Sequence, residues 1–164
     1  MGTDMATESG KRRKKVTDDA VHRTGTLRAA VKPGVTVGKP SVAKVISDYV
    51  ETKGAKAFRR TVWGDGLARS ATALRSAFKL PANEELYVFT NLSTLLRTAG
   101  VLLSSSGFHL LDGKGGSADL SWEQFAGCTI SFSRGMLVIG QVGITSPDSD
   151  ELTELLQAIK AALS

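Results

Sequence analysis

Cationic and aromatic side chains are interleaved in one short stretch, and this is the mixture of residue types in the chain best suited to holding a partner. The stretch contains Lys53, Lys56, Phe58, Arg59, Arg60 and Trp63. Cations neutralise phosphates and release counterions, and aromatic rings stack on exposed bases, so the mixture predicts binding to an anionic partner such as nucleic acid. In the alternative interpretation, Phe58 and Trp63 are core residues and only the cations face solvent.

A second cationic group lies nearer the N-terminus. Its five consecutive members are Lys11, Arg12, Arg13, Lys14 and Lys15. Such a run is typical of a solvated tail, and contact with nucleic acid or another anionic surface is the functional alternative. Because residues 1–39 contain no aromatic residue and are rich in polar types, we expect a disordered basic arm there.

The two ends of the chain differ in the sign of their charge. Residues 1–79 hold 17 Lys and Arg against 7 Asp and Glu, a net charge of +10, whereas residues 80–164 hold 4 against 9, a net charge of −5. Net charge governs association and steering, so we expect the two parts to meet different partners.

Few residues could support catalysis or bind a metal. The chain has one cysteine, Cys128, and two histidines, His22 and His109. Structural zinc sites usually have four clustered ligands, so we predict neither a metal site nor any other cofactor. His109 alternates with apolar neighbours and is expected to be an exposed or hydrogen-bonded strand residue, while Cys128 is expected to be a buried, inert thiol. With no nucleophile, base and orienting group together, the sequence favours a protein that is not an enzyme.

Two amphipathic helices must position the cation-rich stretch, one on each side of it. The first begins near Pro40 and ends at Gly54, and the second takes Asp65 as its N-cap and ends before Pro81. Their apolar stripes consist of Val42, Val45, Ile46, Tyr49 and Val50 in the first helix, and Leu67, Ala71, Leu74 and Phe78 in the second. The sequence leaves open whether this helical region packs on the rest of the chain.

Beyond Pro81 the apolar period changes to alternation, which predicts strands. These strands fall at residues 86–90, 100–104, 108–111, around Leu120 and Trp122, 128–133, 136–139 and 142–145. A C-terminal helix follows, with Asp148 and Glu151 as its capping box. The expected fold class is α+β: a small antiparallel β-barrel or sandwich of about seven strands capped by the C-terminal helix, preceded by the basic arm and two or three short helices.

Four segments between residues 84 and 163 follow one another in a familiar order. They are Glu84-Glu-Leu-Tyr-Val-Phe-Thr90, Gly100-Val-Leu-Leu-Ser-Ser-Ser-Gly-Phe-His-Leu-Leu111, Leu120-Ser-Trp-Glu-Gln-Phe125 and the terminal leucine helix. In these segments the chain resembles the bacterial pleckstrin-homology-like (PH-like) domains. This resemblance implies a fold with no shared catalytic residue, whose members bind proteins or, in classical eukaryotic relatives, phosphoinositide headgroups.

We therefore expect three regions: a disordered basic arm at 1–39, a helical region at 40–80 and a PH-like domain at 81–164. The expected function is that of a binding or adaptor protein, with the PH-like domain contacting a protein or a second copy of the chain, and the basic region contacting nucleic acid or an acidic protein. Peripheral attachment of the polybasic arm to anionic lipid is the alternative. The single cysteine and the lack of a long apolar segment favour a cytoplasmic location.

Overall fold

The computed structural model describes residues 41–93 and 98–164. The predicted basic arm at residues 1–39, with Lys11–Lys15 and His22, lies outside these residues, and so does Pro40. The predictions made for them therefore stay predictions.

Two helices precede most of the strands. Helix α1 spans Val42–Lys53 and begins at Ser41, whose hydroxyl accepts a hydrogen bond of 3.2 Å from the N–H of Lys44. It ends at Gly54, as predicted, where a φ of 73° suits a residue without a Cβ. Helix α2 spans Gly64–Ala77. The prediction that Asp65 is its N-cap is wrong, because Trp63 takes that position and Asp65 lies in the first turn, where a negative charge favours the helix dipole.

Eight strands form two antiparallel sheets. The first sheet has the order β1-β2-β3-β4-β5, and the second has the order β6-β7-β8. The strands are β1 Thr61–Val62, β2 Leu86–Asn91, β3 Gly100–Ser104, β4 Gly107–Leu111, β5 Ser117–Ser121, β6 Ile130–Ser133, β7 Met136–Ile139 and β8 Val142–Ile144. Helix α3, Trp122–Gly127, connects the sheets, and helix α4, Ser149–Leu163, ends the chain. The predicted α+β class, antiparallel pairing and C-terminal helix are confirmed, but the two sheets do not close into one barrel within the described ranges.

The connection between the sheets differs from the prediction. Trp122 was expected in a strand beside Leu120, but it is the first residue of α3. The N–H of Gln124 donates to the Ser121 hydroxyl at 3.2 Å, and the Gln124 side chain accepts from the N–H of Ser121 at 2.9 Å, so a reciprocal capping box starts a helix where strand alternation would continue.

The second sheet also departs from the predicted burial. Cys128 lies at the C-terminal end of α3, outside the strand, and is only partly buried, so its prediction as a buried thiol is wrong. Phe132 is 42% exposed, although alternation over 128–133 places this apolar residue on the same face as Cys128 and Ile130. Alternation correctly locates this strand but does not show which of its faces is covered.

The helical region shares its core with the strands. Ile46 and Val50 of α1 pack in one cluster with residues of the first sheet, the second sheet and α4, among them Val101, Phe108 and Leu156. On the other face of the first sheet, α2 contributes Leu67, Leu74 and Phe78 to a second cluster with Phe89 and Leu102. Because neighbouring strand residues alternate between faces, the first sheet lies between two apolar layers.

Candidate functional site

Lys53 and Lys56, two of the predicted anion-binding residues, differ in how much the fold already uses them. Lys53 forms a 2.5 Å ion pair with Glu154 of α4, and its ammonium lies 5.5 Å from the centre of the Tyr49 ring. Lys56 is exposed on a short 3₁₀ turn, Ala55–Ala57, and has no ion pair with any described residue. Lys53 therefore connects α1 to α4 through this ion pair, while Lys56 is available to a partner.

The pKa directions around Lys53 agree with this assignment. Hydrogen bonds from Lys53 and Tyr49 lower the pKa of Glu154. Burial, followed by the hydrogen bond and negative charge of Glu154, raises the pKa of Tyr49. The carboxylate of Glu154 therefore stays charged, and the phenol stays protonated as its donor, over the physiological range.

The two aromatic residues of the stretch pack against each other. Phe58 is 9% exposed, and its ring centre lies 5.2 Å from that of Trp63 in an edge-on arrangement. Tyr49 of α1 contacts the same Phe58 ring edge-on at 6.4 Å. The ring of Phe58 is therefore held in the core and is unavailable for stacking on a base.

A buried carboxylate fixes the backbone at Arg59 and Arg60. The N–H groups of these two residues donate to the two oxygens of Asp148, each at 2.8 Å, and the hydroxyl of Thr61 donates to the Asp148 Oδ2 atom at 2.7 Å. Asp148 is 0% exposed. Its side chain makes no capping bond to α4, so the predicted capping box with Glu151 is wrong: donors almost ninety residues earlier in the chain take both carboxylate oxygens.

The side chains of Arg59 and Arg60 line a groove of about 540 Å³ at the edge of the first sheet. Its other lining residues are Thr61, Val62, Ser70, Phe89, Asn91 and Ser93. Within residues 41–93 and 98–164, neither guanidinium forms an ion pair with a carboxylate. We call this the basic groove. It combines these two guanidinium groups with hydroxyl and amide groups, and can hold an anion by charge-assisted hydrogen bonds.

Among the described residues, those predicted for the site fall into two groups. Arg59 and Arg60 lie in the basic groove, and Lys56 is exposed on the preceding turn. Lys53, Phe58 and Trp63 instead pack or pair within the fold. Sequence reasoning missed Asp148 as the residue that positions the groove, because no sequence signal distinguishes an aspartate that caps its own helix from one that accepts bonds from a distant strand.

A polar network around His109 was also absent from the predicted site. Its Nδ1 atom lies 2.7 Å from Asp119 Oδ1, and its Nε2 atom lies 2.9 Å from the Ser104 hydroxyl. His109 is 5% exposed, which confirms the prediction of a hydrogen-bonded strand histidine. Asp119 lies directly opposite His109 in the β4–β5 register, and this register could not be read from the sequence.

The order Asp119–His109–Ser104 is that of a hydrolase triad, but its surroundings differ from those of an active site. Ser104 is 0% exposed, and its hydroxyl donates to Glu84 at 2.7 Å. The nearby N–H of Ser106 also points to Glu84, at 2.7 Å, so this donor is not free to hold an oxyanion. Burial raises the pKa of Glu84, but hydrogen bonds from Ser104, Ser106 and Ser105 outweigh it and lower the pKa to about 2. The hydrogen bonds that Glu84 accepts therefore connect the β3–β4 hairpin to the loop before β2.

No protein-family model, curated protein or solved structure matches the chain. None of the helices in the described ranges is both long and apolar enough to cross a bilayer.

Proposed function

We propose that this chain is a non-enzymatic binding protein that holds an acidic segment of a partner protein in the basic groove. The observation that carries this proposal is the state of Arg59 and Arg60. Their backbone is clamped by the buried Asp148, while their guanidinium groups are without an ion-pair partner among the described residues. A fixed backbone reduces the conformational freedom that two arginines lose on binding.

The lining of the groove favours a protein segment over a nucleic acid. Recognition of single strands relies on exposed rings that stack on bases, but Phe58 is buried and Trp63 is packed against it. The groove instead offers apolar surface from Val62, which is 37% exposed, beside the side chains of Asn91 and Ser70. A peptide with carboxylates for the two guanidinium groups and an apolar side chain for Val62 matches this surface.

We further propose that residues 84–163 form a PH-like domain. Its support is the order of elements: four antiparallel strands, β2 to β5, are followed by three more, β6 to β8, and by the long helix α4. In this proposal the domain is a protein-binding module. The edge strand β1 and the basic groove are additions from the preceding helical region, since β1 pairs with β2.

The basic arm adds long-range attraction in the same proposal. The cations of residues 11–15 raise the local concentration of an acidic partner, while the groove provides the specific contact. Affinity should therefore have two parts: one that falls steeply with salt and belongs to the arm, and one that depends on Arg59 and Arg60.

Fluorescence anisotropy with labelled octaglutamate and labelled oligothymidine tests the proposal on the full chain. The double variant Arg59→Gln/Arg60→Gln should bind octaglutamate at least about tenfold more weakly than the parent, a loss of roughly 1.4 kcal/mol. The control Lys114→Gln/Arg134→Gln removes the same charge from exposed positions outside the groove and should lose less than about threefold.

Equal losses of octaglutamate affinity in the two double variants would show that binding depends only on net charge. They would refute the proposal that the basic groove is the binding site. Tighter, groove-dependent binding of oligothymidine than of octaglutamate would assign the groove to nucleic acid and overturn the choice of a protein partner.

A further inference from the structure

A second cavity, separate from the basic groove, lies between the C-terminal end of α2 and the glycine-rich turn that follows β4. Its volume is about 530 Å³, within the range of small-molecule sites. The described residues that line it include the apolar side chains of Phe78, Leu80 and Leu111. We call it the turn cavity. None of the residues predicted to bind an anionic partner lines it.

Two of the described residues that line the turn cavity carry a formal charge, Lys79 a positive one and Asp119 a negative one. Lys79 is exposed and has no ion pair with a described residue. A cavity with one cation, one anion and an apolar wall is complementary to a molecule that carries both charges on an apolar body.

The backbone of Lys79 has a conformation that is unusual for a residue with a side chain. Its φ is 55°, the left-handed conformation, at the position where α2 ends. The N–H of Leu80 donates to the carbonyl of Arg75 at 2.8 Å, and the N–H of Lys79 donates to the carbonyl of Ser76 at 3.2 Å, which together make a Schellman motif. Glycine is the residue usually found at this position because it avoids the strain of a Cβ. A lysine there holds a backbone conformation that favours glycine, at a position that lines the cavity.

The opposite charge, on Asp119, is held in place by the fold. Its Oδ1 atom lies 2.7 Å from His109, which orients the carboxylate, while its side chain remains 63% exposed. The His109 ring lies edge-on to that of Phe78, with 6.5 Å between their centres, and both rings line the cavity. The carboxylate is therefore positioned next to an aromatic wall and accessible to an amine.

We propose that the turn cavity binds a small zwitterionic molecule with an apolar or aromatic body. The anionic group of the ligand pairs with Lys79, its ammonium group pairs with the carboxylate of Asp119, and its body packs against Phe78 and Leu111. Each charged contact is weak by itself because both protein groups meet solvent. The preference for a zwitterion comes from satisfying both at once, with the apolar wall excluding water from one side.

Three probes with the same aromatic body separate the contributions. L-Phenylalanine carries both charges, 3-phenylpropionate carries only the carboxylate, and phenethylamine carries only the ammonium. Titration of the isotope-labelled full chain, followed by amide chemical shifts, should show L-phenylalanine binding at least about tenfold more tightly than either single-charge probe, with shifts at Lys79, His109 and residues 113–117. Equal binding of the three probes, or no saturable shift with any of them at millimolar concentration, would overturn the proposal.

Two variants distinguish a ligand contact from a structural role. Lys79→Gly relieves the left-handed strain, so its melting temperature should be unchanged or a few degrees higher, while the preference for L-phenylalanine over phenethylamine falls at least about fivefold. Asp119→Asn keeps an acceptor for His109 but loses the charge, and should reduce the preference over 3-phenylpropionate. If Lys79→Gly melts higher and binds all three probes as the parent does, the lysine has no role in binding and the assignment is wrong.

Discussion

Thr61 of strand β1 donates a 2.7 Å hydrogen bond to the carboxylate of Asp148, the N-cap residue of helix α4. This bond connects the edge of the first sheet to the C-terminal helix across 87 positions of sequence. Thr61 also shares a 2.9 Å hydrogen bond with Thr90 of β2, so the hydroxyl pair and the carboxylate form one buried polar unit beneath the basic groove.

Asp148→Asn should lower the free energy of unfolding by about 2–4 kcal/mol, because the amide replaces a charged acceptor of three donors and turns an N–H toward at least one of them. Urea denaturation at neutral pH measures the loss. Asp150→Asn is the matched control. It lies exposed in the first turn of the same helix and should cost less than about 1 kcal/mol. Similar losses of stability in the two variants would mean that the effect comes from charge at the helix N-terminus and not from the hydrogen bonds that Asp148 accepts.

The lowered pKa of Glu84 predicts that the free energy of unfolding decreases at low pH. Hydrogen bonds that outweigh burial lower its pKa from 4.5 to about 2 in the folded protein. The unfolded chain therefore takes up this proton first, so the stabilisation is complete above about pH 5 and is lost as the pH falls toward 2. Because Glu84 is partly exposed, we expect the loss to be about 1–2 kcal/mol.

The measurement is urea unfolding of the parent and of Glu84→Gln between pH 6 and pH 3. The variant should be less stable at pH 6, and the difference between the two proteins should narrow with acidification. Glu85→Gln removes the same charge at the next, exposed position and should run parallel to the parent. A Glu84→Gln curve that also runs parallel to the parent would argue against the hydrogen-bonded carboxylate.

The shared core predicts that the helical region and the strands unfold together. Ile46 is 2% exposed in the main cluster, so Ile46→Ala should cost about 2–4 kcal/mol, whereas the exposed Thr52→Ala on the same helix should change stability by less than about 0.5 kcal/mol.

The chain has two tryptophans, Trp63 before the long strands and Trp122 between the sheets. In each variant that retains only one of them, fluorescence and far-ultraviolet circular dichroism should give coincident unfolding midpoints. Two separated midpoints in the variant that retains Trp63 would show that the helical region is an independent unit.

Gly107 tests the close approach of two neighbouring strands. A Cβ at this position would overlap the backbone carbonyl of Leu120, so Gly107→Ala should cost about 2–3 kcal/mol. Gly127 in α3 has open space around its would-be Cβ, so Gly127→Ala should be neutral or stabilising by up to about 1 kcal/mol. Thermal unfolding of the two variants gives the sign directly, and a stabilising Gly107→Ala would contradict the described strand pairing.

Local patterns predicted the elements whose signals lie within a few residues. The stripe with Ile46 and Val50 predicted α1. The strands predicted at 128–133 and 136–139 correspond to β6 and β7, which pair through a turn where Arg134 and Gly135 have positive φ. The start of α3 was missed, although Ser121 and Gln124 form a capping box, because Leu120 and Trp122 also fit strand alternation. Two local patterns competed there, and the hydrogen-bonded cap prevailed.

The candidate sites depended on contacts that no local pattern contains. Arg59 and Arg60 were predicted from their charge, but the groove exists because β1 pairs with β2 and because Asp148 reaches back to their N–H groups. The partnership of His109 with Asp119 likewise depends on strand register. The aromatic neighbours were ambiguous in sequence, since a ring beside a cation can face either solvent or core, and the structure places Phe58 in the core.

If Arg59 and Arg60 hold an acidic protein segment, such a segment should contact the chain at these two residues. Isotope-labelled full-length protein would be titrated with octaglutamate while its amide chemical shifts are followed. We expect saturable shifts concentrated at residues 59–62 and at Asn91, and their loss in Arg59→Gln/Arg60→Gln, whose other resonances stay unchanged. Saturable shifts that lie elsewhere, or that persist at residues 59–62 in the double variant, would contradict the proposed contact.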